Sequence, residues 1–405
     1  MKNRAVTFIL ITIILDAIGI GLILPVMPEL IMQVRGADIS QAALWGGILS
    51  ATFAVMQFLF SPALGNLSDR FGRRPVLLIS TFVMAVDYLV MALAGSIWLL
   101  LVGRIVGGIT GATQATASAF MADISPREKK AQNFGLIGAG FGIGFVLGPV
   151  IGGLLGELGP RAPFYAAAAV ALLNFIFGYF VLPETVSEAN RRPFRWTRAN
   201  PLGGIKHIGA LPGLSALMCV YFFYQVANMV YPAIWAYFTQ ARFDWSSGMI
   251  GVSLAVYGIS VAITQAVFIR WVIKTLGEPR TVFWGLLYNA LMLSILAFVS
   301  NGWVLLALTP FSALGAVVAP ALQAIMSGAA SDDQQGELQG VMSSINSVGM
   351  IAAPIVFTWI FAVYTRPGAS LYLPGAAFLM AMALMFTAWV IYRVSVTPPR
   401  SEDAP

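Results

Sequence analysis

Long apolar segments recur along the whole chain, and short polar segments separate them. A helix that crosses a bilayer needs about 20 mostly apolar residues, and each apolar segment is close to that length or longer. The pattern therefore predicts an integral membrane protein with twelve spanning helices, at residues 6–33, 42–64, 76–95, 98–122, 134–156, 163–183, 211–238, 248–269, 281–299, 302–326, 338–363 and 371–393.

The composition also favours lipid over water as the surrounding solvent. Of the 405 residues, 59% are hydrophobic and only 10% are charged, and the mean hydropathy is +0.83. A soluble chain of this size could not cover its surface with so few charges. Because Cys219 and His207 are the only residues of their types, we expect no disulfide, no metal site and no Ser-His-Asp triad. The sequence lacks a G-x-x-x-x-G-K-[ST] phosphate loop, so we predict no direct use of ATP. No pairing of a nucleophile with a base is visible either, and we predict no cofactor and no enzymatic activity.

The basic residues predict the orientation of the helices. Lysine and arginine accumulate in the cytoplasmic loops of membrane proteins. If the N-terminus lies in the cytoplasm, 18 of the 23 Lys and Arg residues fall on that side. We therefore expect a multi-pass protein of the cytoplasmic (inner) membrane with both termini inside, and no nucleic-acid partner despite the net charge of +6.

The longest polar stretch divides the chain into two halves of six spans each. Residues 184–210 form this central cytoplasmic loop between bundles at 1–183 and 211–393, and 394–405 form a cytoplasmic tail. The halves resemble one another at an offset of 205 residues, which places Pro149 on Pro354. The predicted fold is all-α, with twelve transmembrane helices in two pseudo-symmetric six-helix bundles. Such duplicated halves place a substrate site near the midplane and rock around it.

One cytoplasmic segment is unusually rich in charge. Residues 64–78, "LGNLSDRFGRRPVLL", resemble the loop motif G-x-x-x-D-R-x-G-R-R of the major facilitator superfamily. We expect the glycines to permit a tight turn and close helix approach. We also expect Asp69 to pair with loop arginines and to accept amide hydrogens at a neighbouring helix start. The predicted role is a conformational latch on the cytoplasmic side; the alternative is an ordinary positively charged loop. The residues assigned to the latch are Gly65, Asp69, Arg70, Gly72, Arg73, Arg74 and Asp123.

The fifth span is rich in glycine, with the sequence "GLIGAGFGIGFVLGPVIGGLLG". Glycine every four residues leaves a helix face without side chains, and such faces let helix backbones approach closely in membranes. The stretch resembles the G-x-x-x-G-P-x-x-G-G signature of facilitator-superfamily antiporters; the alternative is a generic packing face. The residues assigned to this antiporter-motif helix are Gly140, Gly144, Gly148, Pro149, Gly152 and Gly153.

Three charged residues lie inside predicted spans, namely Asp16, Asp87 and Arg104. A charge there costs roughly 2.5–3.5 kcal/mol on insertion scales, so each is a functional candidate by default. Burial favours a neutral acid and an adjacent arginine favours a carboxylate, so such groups can exchange a proton when a cavity opens or closes. We assign the three residues to proton coupling; the alternative is a static ion pair that fixes helix packing.

Uncharged polar and aromatic residues also interrupt the spans. Aromatic walls with scattered amides suit an amphipathic ligand with several hydrogen-bonding groups, whereas the alternative is hydrogen bonding between helices. The candidate substrate-binding residues are Gln57, Gln114, Tyr221, Tyr224, Gln225, Asn228, Trp235, Gln265, Asn289, Gln323 and Asn346.

Several stretches resemble the tetracycline/proton antiporters of the same superfamily. They are "LDAIGIGLILPVMP", "SDRFGRRPVLL", "GRIVGGITGAT", "FGLIGAGFGIGFVLGPVIGG", "ALQ" and "GELQG". The resemblance covers nearly the whole chain and implies outward drug/proton antiport. It departs at two positions, where Asn289 replaces an acid of span nine and Val261 replaces a histidine of span eight. Because an amide does not exchange protons at physiological pH, protons must use the first half if they drive this carrier; the alternatives are a different lipophilic substrate and uncoupled transport.

We therefore predict a monomeric efflux transporter that exchanges a small amphipathic drug-like substrate for protons. One alternative is a metabolite or lipid-like carrier of the same fold, without proton coupling. The other is a membrane receptor that transports nothing. Proton-driven uptake of substrate in vesicles separates the first two, and a receptor would bind its ligand without counterflow.

Overall fold

A computed structural model describes residues 2–111, 113–126, 129–186, 191, 193, 214–331 and 334–395, and every regular element in these ranges is helical. The helices, numbered in chain order, are α1 (Lys2–Ile23), α2 (Met27–Arg35), α3 (Ile39–Phe71), α4 (Arg73–Leu93), α5 (Ile97–Thr110), α6 (Thr113–Ile124), α7 (Lys130–Gly156), α8 (Ala162–Val181), α9 (Ser215–Asn228), α10 (Val230–Phe243), α11 (Ser247–Ile263), α12 (Ile269–Phe298), α13 (Gly302–Ala313), α14 (Val318–Ala329), α15 (Gln335–Thr365) and α16 (Ala376–Ser395).

Each predicted span coincides with one helix or with two helices in succession. Within the described residues, ten helical stretches are long and apolar enough to cross a membrane, and α5 is a shorter apolar helix. Several spans are interrupted: α1 and α2 are separated by a turn before Met27, where Pro28 occupies the start of the second helix. The all-helical membrane fold predicted from hydropathy is thus confirmed.

Two charged segments between predicted spans contain few non-helical residues. The segment at 64–78 contains a single non-helical residue, Gly72, because α3 continues to Phe71 and α4 begins at Arg73. Likewise, residues 247–298 form one nearly continuous helical stretch with a π-helical segment at 264–268 and a break at Gly277 (φ 73°). Charged side chains reach water from the end of a helix, so polarity alone does not end it.

The chain divides into two compact units. Unit 1 contains residues 1–38, 48–201 and 245–255, and unit 2 contains residues 39–47, 202–244 and 256–405. Most of the predicted central loop at 184–210 and the end of the predicted tail lie outside the described residues, so those boundaries stay predictions.

Unit 1 has an apolar core at one end of its helices. Phe8, Ile13, Leu77 and Phe120, which come from α1, α4 and α6, are all at most 2% exposed in a single cluster. Thr12 donates a hydrogen bond from its hydroxyl to the amide oxygen of Asn174, 3.3 Å away, and ties α1 to α8. This packing holds α1 and α4, which carry two of the three intramembrane charges.

Candidate functional site

A buried ion pair lies between α4 and α5 in unit 1. Arg104 Nη2 donates to Asp87 Oδ2 over 2.9 Å, and the two side chains are 10% and 0% exposed. The guanidinium also contacts the sulfur of Met91, and it lies 5.3 Å from the centre of the Phe53 ring. Among the described residues the structure therefore gives Arg104 one acidic partner, and that partner is Asp87 rather than Asp16.

Two glycines of α5 make room for the Asp87 carboxylate. A Cβ atom at Gly103 would lie 2.8 Å from Asp87 Oδ1, and one at Gly107 would lie 2.5 Å from Oδ2. Within the described parts of the chain, Asp87 Oδ1 and Arg104 Nε are buried without a hydrogen-bond partner. The ion pair is therefore only half satisfied. An unsatisfied buried carboxylate oxygen carries a desolvation cost of about 1–3 kcal/mol or more.

Tyr88 connects this pair to the third intramembrane charge. Its side chain is buried, and a Cβ atom at Gly19 would lie 2.3 Å from the Tyr88 hydroxyl. Tyr88 interacts electrostatically with Asp16, Asp87 and Arg104. Asp16 lies one helical turn before Gly19 on α1, is half-buried, and forms no ion pair with any described lysine or arginine. Tyr88 is absent from the predicted site residues, although its place beside an intramembrane aspartate was a signal.

Gln57 bridges α3 to the end of α5. Its amide Nε2 donates to the carbonyl oxygen of Gly111, 3.0 Å away, and Gly111 is the residue that follows α5. Gln57 thus satisfies a carbonyl that lacks a helical partner. Gln114 belongs to α6, and its side chain lies outside the described residues. Substrate binding by both residues stays a prediction.

The charged segment at the start of α4 forms a second cluster. Arg73 Nη1 lies 2.7 Å from Asp69 Oδ1, and Arg73 Nε lies 3.3 Å from Asp123 Oδ2. Thr185 donates its hydroxyl to the same Asp123 oxygen over 3.1 Å. The structure therefore brings three of the predicted latch residues together, all within unit 1.

The remaining predicted latch residues have separate environments. Gly72 has φ 107°, as expected for a tight turn, but the expectation for Gly65 was wrong. Gly65 lies inside α3, and a Cβ atom there would meet nothing within 4 Å, so neither a turn nor close packing requires glycine. Arg74 donates to the carbonyl oxygen of Tyr179 over 2.8 Å. The Arg70 guanidinium lies over the Phe71 ring.

Glu184, which is not among the predicted latch residues, supplies the carboxylate at the start of α4. Its two oxygens accept hydrogen bonds from the backbone N–H groups of Arg73 and Arg74. Of the two contacts expected for Asp69, the ion pair with an arginine is present, whereas Glu184 accepts the amides at the start of α4. The only sequence signal was an acid directly after Pro183 at the end of an apolar span.

The glycine face of α7 packs against α1. A Cβ atom at Gly144, Gly148 or Gly152 would lie 2.4, 2.7 or 2.3 Å from a backbone carbonyl oxygen of α1, whereas one at Gly140 would be 3.3 Å from the Ile14 side chain. The ring of Pro149 lies against Gly21 of α1. The predicted close approach of a neighbouring helix is therefore present along this face.

The end of α7 contacts the start of α11, and both segments belong to unit 1. A Cβ atom at Gly153 would lie 2.6 Å from the Ser247 carbonyl oxygen. Just after α7, Glu157 Oε1 accepts the Gly248 N–H over 2.7 Å, and its carboxylate is hydrogen-bonded to Ser246. These hydrogen bonds lower the pKa of Glu157 below its ordinary value of 4.5.

Glu157→Gln is expected to destabilise the protein in a pH-dependent way. Because the folded pKa is lowered, the ionised carboxylate stabilises the fold above pH 4.5, and this contribution disappears as the pH falls through the lowered value. The wild-type Tm should therefore exceed that of Glu157→Gln by a constant amount near neutral pH and converge with it below pH 4.5. Thermal unfolding in detergent measures both, with Glu278→Gln as the matched control. A gap that closes already near neutral pH would contradict this origin.

Polar side chains of α9, α14 and α15 meet in unit 2. The Tyr221 hydroxyl is within hydrogen-bonding reach of the side-chain amides of Gln323 and Asn346. Gln225 Nε2 donates to Asn346 Oδ1. Tyr221 is 1% exposed, Gln225 and Asn346 are half-buried, and Gln323 is exposed. The structure thus joins four predicted substrate residues in one network, which can present amide donors and acceptors together with an aromatic ring.

Two further candidates lie close to this network. The Tyr224 hydroxyl is within hydrogen-bonding reach of the Ala319 backbone and of the Asn228 side chain. Asn228 Nδ2 also donates to the Tyr224 carbonyl oxygen over 2.9 Å. Tyr231 and Tyr257 stack with their ring centres 5.3 Å apart, which extends the aromatic surface beyond the predicted residues.

The last three candidates are more scattered. Trp235 is 5% exposed and packs edge-on against Phe378, which is typical of core packing. Asn289 Nδ2 donates to the carbonyl oxygens of Gly285 and Gly315 over 2.9 and 3.1 Å, so this amide joins two neighbouring helical segments. Gln265 is exposed, and its ligand role stays a prediction.

Comparison with known proteins gives consistent matches. The family model described as Major Facilitator Superfamily matches residues 9–229 and 213–405. The class C tetracycline resistance protein of Escherichia coli is 42% identical over 391 residues, 96% of this chain and 98% of that protein. The class B protein of Escherichia coli is 35% identical over 363 residues, 89% of each.

Solved structures are similar to this fold over nearly its full length. The structure of the human organic anion transporter MFSD10 (TETRAN) has a TM-score of 0.67 at 26% identity, and covers 96% of this chain and 99% of its own. The nucleoside transporter NupG has a TM-score of 0.72 at 13% identity, with 98% and 99% covered. The second similarity concerns the fold alone.

Proposed function

The chain belongs to the major facilitator superfamily and is a multi-pass transporter of that type, and we propose that it exports amphipathic drug-like molecules in exchange for protons. The proposal places the protein in the cytoplasmic membrane as a monomer, with both termini in the cytoplasm. Relatives named for tetracycline resistance support a drug as the substrate.

The half-satisfied ion pair at Asp87 carries the proposal of proton coupling. The buried carboxylate has one oxygen bound to Arg104 and the other without a hydrogen-bond partner among the described residues. The second oxygen is therefore an atom at which a proton can bind while the first remains bonded to the guanidinium. Arg104 favours the ionised form and burial favours the neutral form, so a change in the surroundings shifts the balance between them.

Asp16 is the second candidate for the proton carrier. It is half-buried on α1 and interacts with the same Tyr88 as Asp87 does. Asp16 forms no ion pair with any described lysine or arginine, so it offers a second site for the proton, separate from the Asp87–Arg104 pair.

Asn289 favours a carrier without proton coupling as the second candidate function. Its side-chain amide donates hydrogen bonds to two backbone carbonyl oxygens. An amide neither gains nor loses a proton at physiological pH. The spans predicted from the sequence for the second half of the chain contain no acid. If Asp16 and Asp87 form only static contacts, the substrate moves down its own gradient.

An imposed pH gradient tests the proposal. Purified protein is reconstituted into liposomes with an acidic interior, and tetracycline or another amphipathic drug is added outside. An antiporter accumulates drug above the external concentration as protons leave, beyond the amount taken up by protein-free liposomes. An uncoupled carrier only equilibrates the drug, and a receptor binds it without transport. Either of these two results would contradict the proposal.

A further inference from the structure

The carboxylate of Glu184 is the acceptor for the exposed amides at the start of α4. Glu184 Oε1 accepts the Arg73 N–H over 2.9 Å, and Oε2 accepts the Arg74 N–H over 3.2 Å. The first amides of a helix have no acceptor within the helix. The residue before α4 is Gly72, which has no side chain to cap them, and the first turn contains no acid. A negative charge at a helix start is favourable, and here the segment after another helix supplies it.

Gly72 makes this contact possible. A Cβ atom at Gly72 would lie 2.1 Å from Glu184 Oε2, and its φ of 107° disfavours any other residue. The glycine therefore serves both the turn and the approach of the carboxylate.

Glu184 also organises its own segment. Its Oε1 accepts the N–H groups of Thr185 and Val186 over 2.9 and 3.0 Å. Thr185 in turn donates its hydroxyl to Asp123. One carboxylate thus orients the residue after it toward an acid of the charged cluster.

The same carboxylate fixes the backbone of the central arginine of that cluster. Arg73 is held at its N–H by Glu184 and at its guanidinium by Asp69 and Asp123. Because the side chain starts from a fixed backbone, it reaches both acids at once. The contacts join the ends of α3, α4 and α6 to the segment after α8.

We propose that Glu184 is a positioning residue of the transport cycle, which holds Arg73 in register with Asp69 and Asp123 so that the cluster stabilises one of the conformations of the transporter. The inference rests on the proposed function in taking the protein as a transporter that changes conformation, and on the predicted role of the charged cluster as a latch. It needs neither the identity of the substrate nor proton coupling. Glu184 itself contacts no substrate in this role.

Glu184→Gln tests the role without drug or pH gradient. In the variant an amide with one acceptor oxygen replaces a carboxylate that accepts four N–H groups. Dyes are attached to cysteines at Lys129 and Val394, both exposed, in a Cys219→Ser background in lipid nanodiscs. Single-molecule energy transfer then reports the occupancy of the conformations. We expect a shift of about tenfold, since a charge-assisted hydrogen bond has about that effect on an equilibrium. Glu184→Asp, which keeps the charge, should lie between the variant and wild type.

Glu278→Gln is the matched control, because it removes one carboxylate from a residue without an ion pair among the described residues. A lower Tm of Glu184→Gln with unchanged occupancy would show a purely structural role and overturn the inference. A single static conformation in wild type would also overturn it. The wild-type protein is tested separately in the liposome assay. If it does not accumulate drug there, while Glu184→Gln still shifts the occupancy of the conformations, only the proposed function is contradicted.

Discussion

Asp87→Asn is expected to abolish accumulation of drug against its gradient. The amide cannot take up or release a proton, and it leaves the Arg104 guanidinium buried without its counter-ion. Removing one partner of a buried ion pair costs about 3–5 kcal/mol, so the folded protein should also be less stable. Drug accumulation in liposomes with an acidic interior and thermal unfolding measure the two effects.

The double variant Asp87→Asn/Arg104→Gln separates coupling from stability. Removing both charges eliminates the unpaired guanidinium, so we expect the Tm to recover toward that of wild type. Accumulation should not recover, because no carboxylate remains at this position. If the double variant regained both, the pair would be a static packing contact.

Asp16→Asn provides the comparison within the same unit. It leaves the Asp87–Arg104 pair in place, so we expect a smaller loss of stability than for Asp87→Asn. Full accumulation by Asp87→Asn and none by Asp16→Asn would identify Asp16 as the proton carrier. Any accumulation that survives the loss of both acids would contradict coupling through unit 1.

Gly152→Ala is expected to disrupt the packing of α7 on α1 and to reduce the amount of folded transporter strongly. The new Cβ atom would lie 2.3 Å from the Leu22 carbonyl oxygen and 2.7 Å from the Leu22 Cα atom. Backbone atoms cannot rotate away as a side chain does, so the helices must separate. Overpacking typically costs about 1–3 kcal/mol, and thermal unfolding together with transport per folded molecule measures the loss.

Gly142→Ala is the matched control on the same helix. A Cβ atom there would meet nothing within 4 Å, so the substitution adds a methyl group without a clash. Alanine is the better helix former by about 1 kcal/mol, and the variant should equal or exceed wild type in stability. Equal behaviour of the two variants would contradict the assigned role of the glycine face.

The sequence predicted the spans and the intramembrane charges because both depend on local properties. Hydropathy over about 20 residues identifies a spanning helix, and a charge within it needs no partner to be recognised as unusual. Asp87 and Arg104 are therefore functional candidates from hydropathy alone. The pairing of Arg104 with Asp87 rather than Asp16 depends on how α4 packs against α5. Gly103 and Gly107 leave room there for the carboxylate, and local properties of the sequence do not show this.

The residues that the sequence analysis did not predict are ones whose role comes from contacts distant in the sequence. Glu184 and Arg73 are 111 positions apart, and no periodicity in the sequence connects them. The turn expected at Gly65 was wrong because α3 continues through the charged segment, where its side chains reach water from the helix. Trp235 packs against the rings of Tyr231, Phe238 and Phe378, contacts that only the tertiary structure supplies, and its ligand role stays a prediction.

The central claim is that drug movement and proton movement are coupled through the carboxylates of unit 1. Liposomes containing a pH-sensitive dye and no initial pH gradient test it in the reverse direction, with drug added outside. The account predicts that the interior becomes more alkaline as drug enters wild-type vesicles, and that Asp87→Asn vesicles match protein-free ones. Drug entry through the wild-type protein without any change of internal pH would contradict the account.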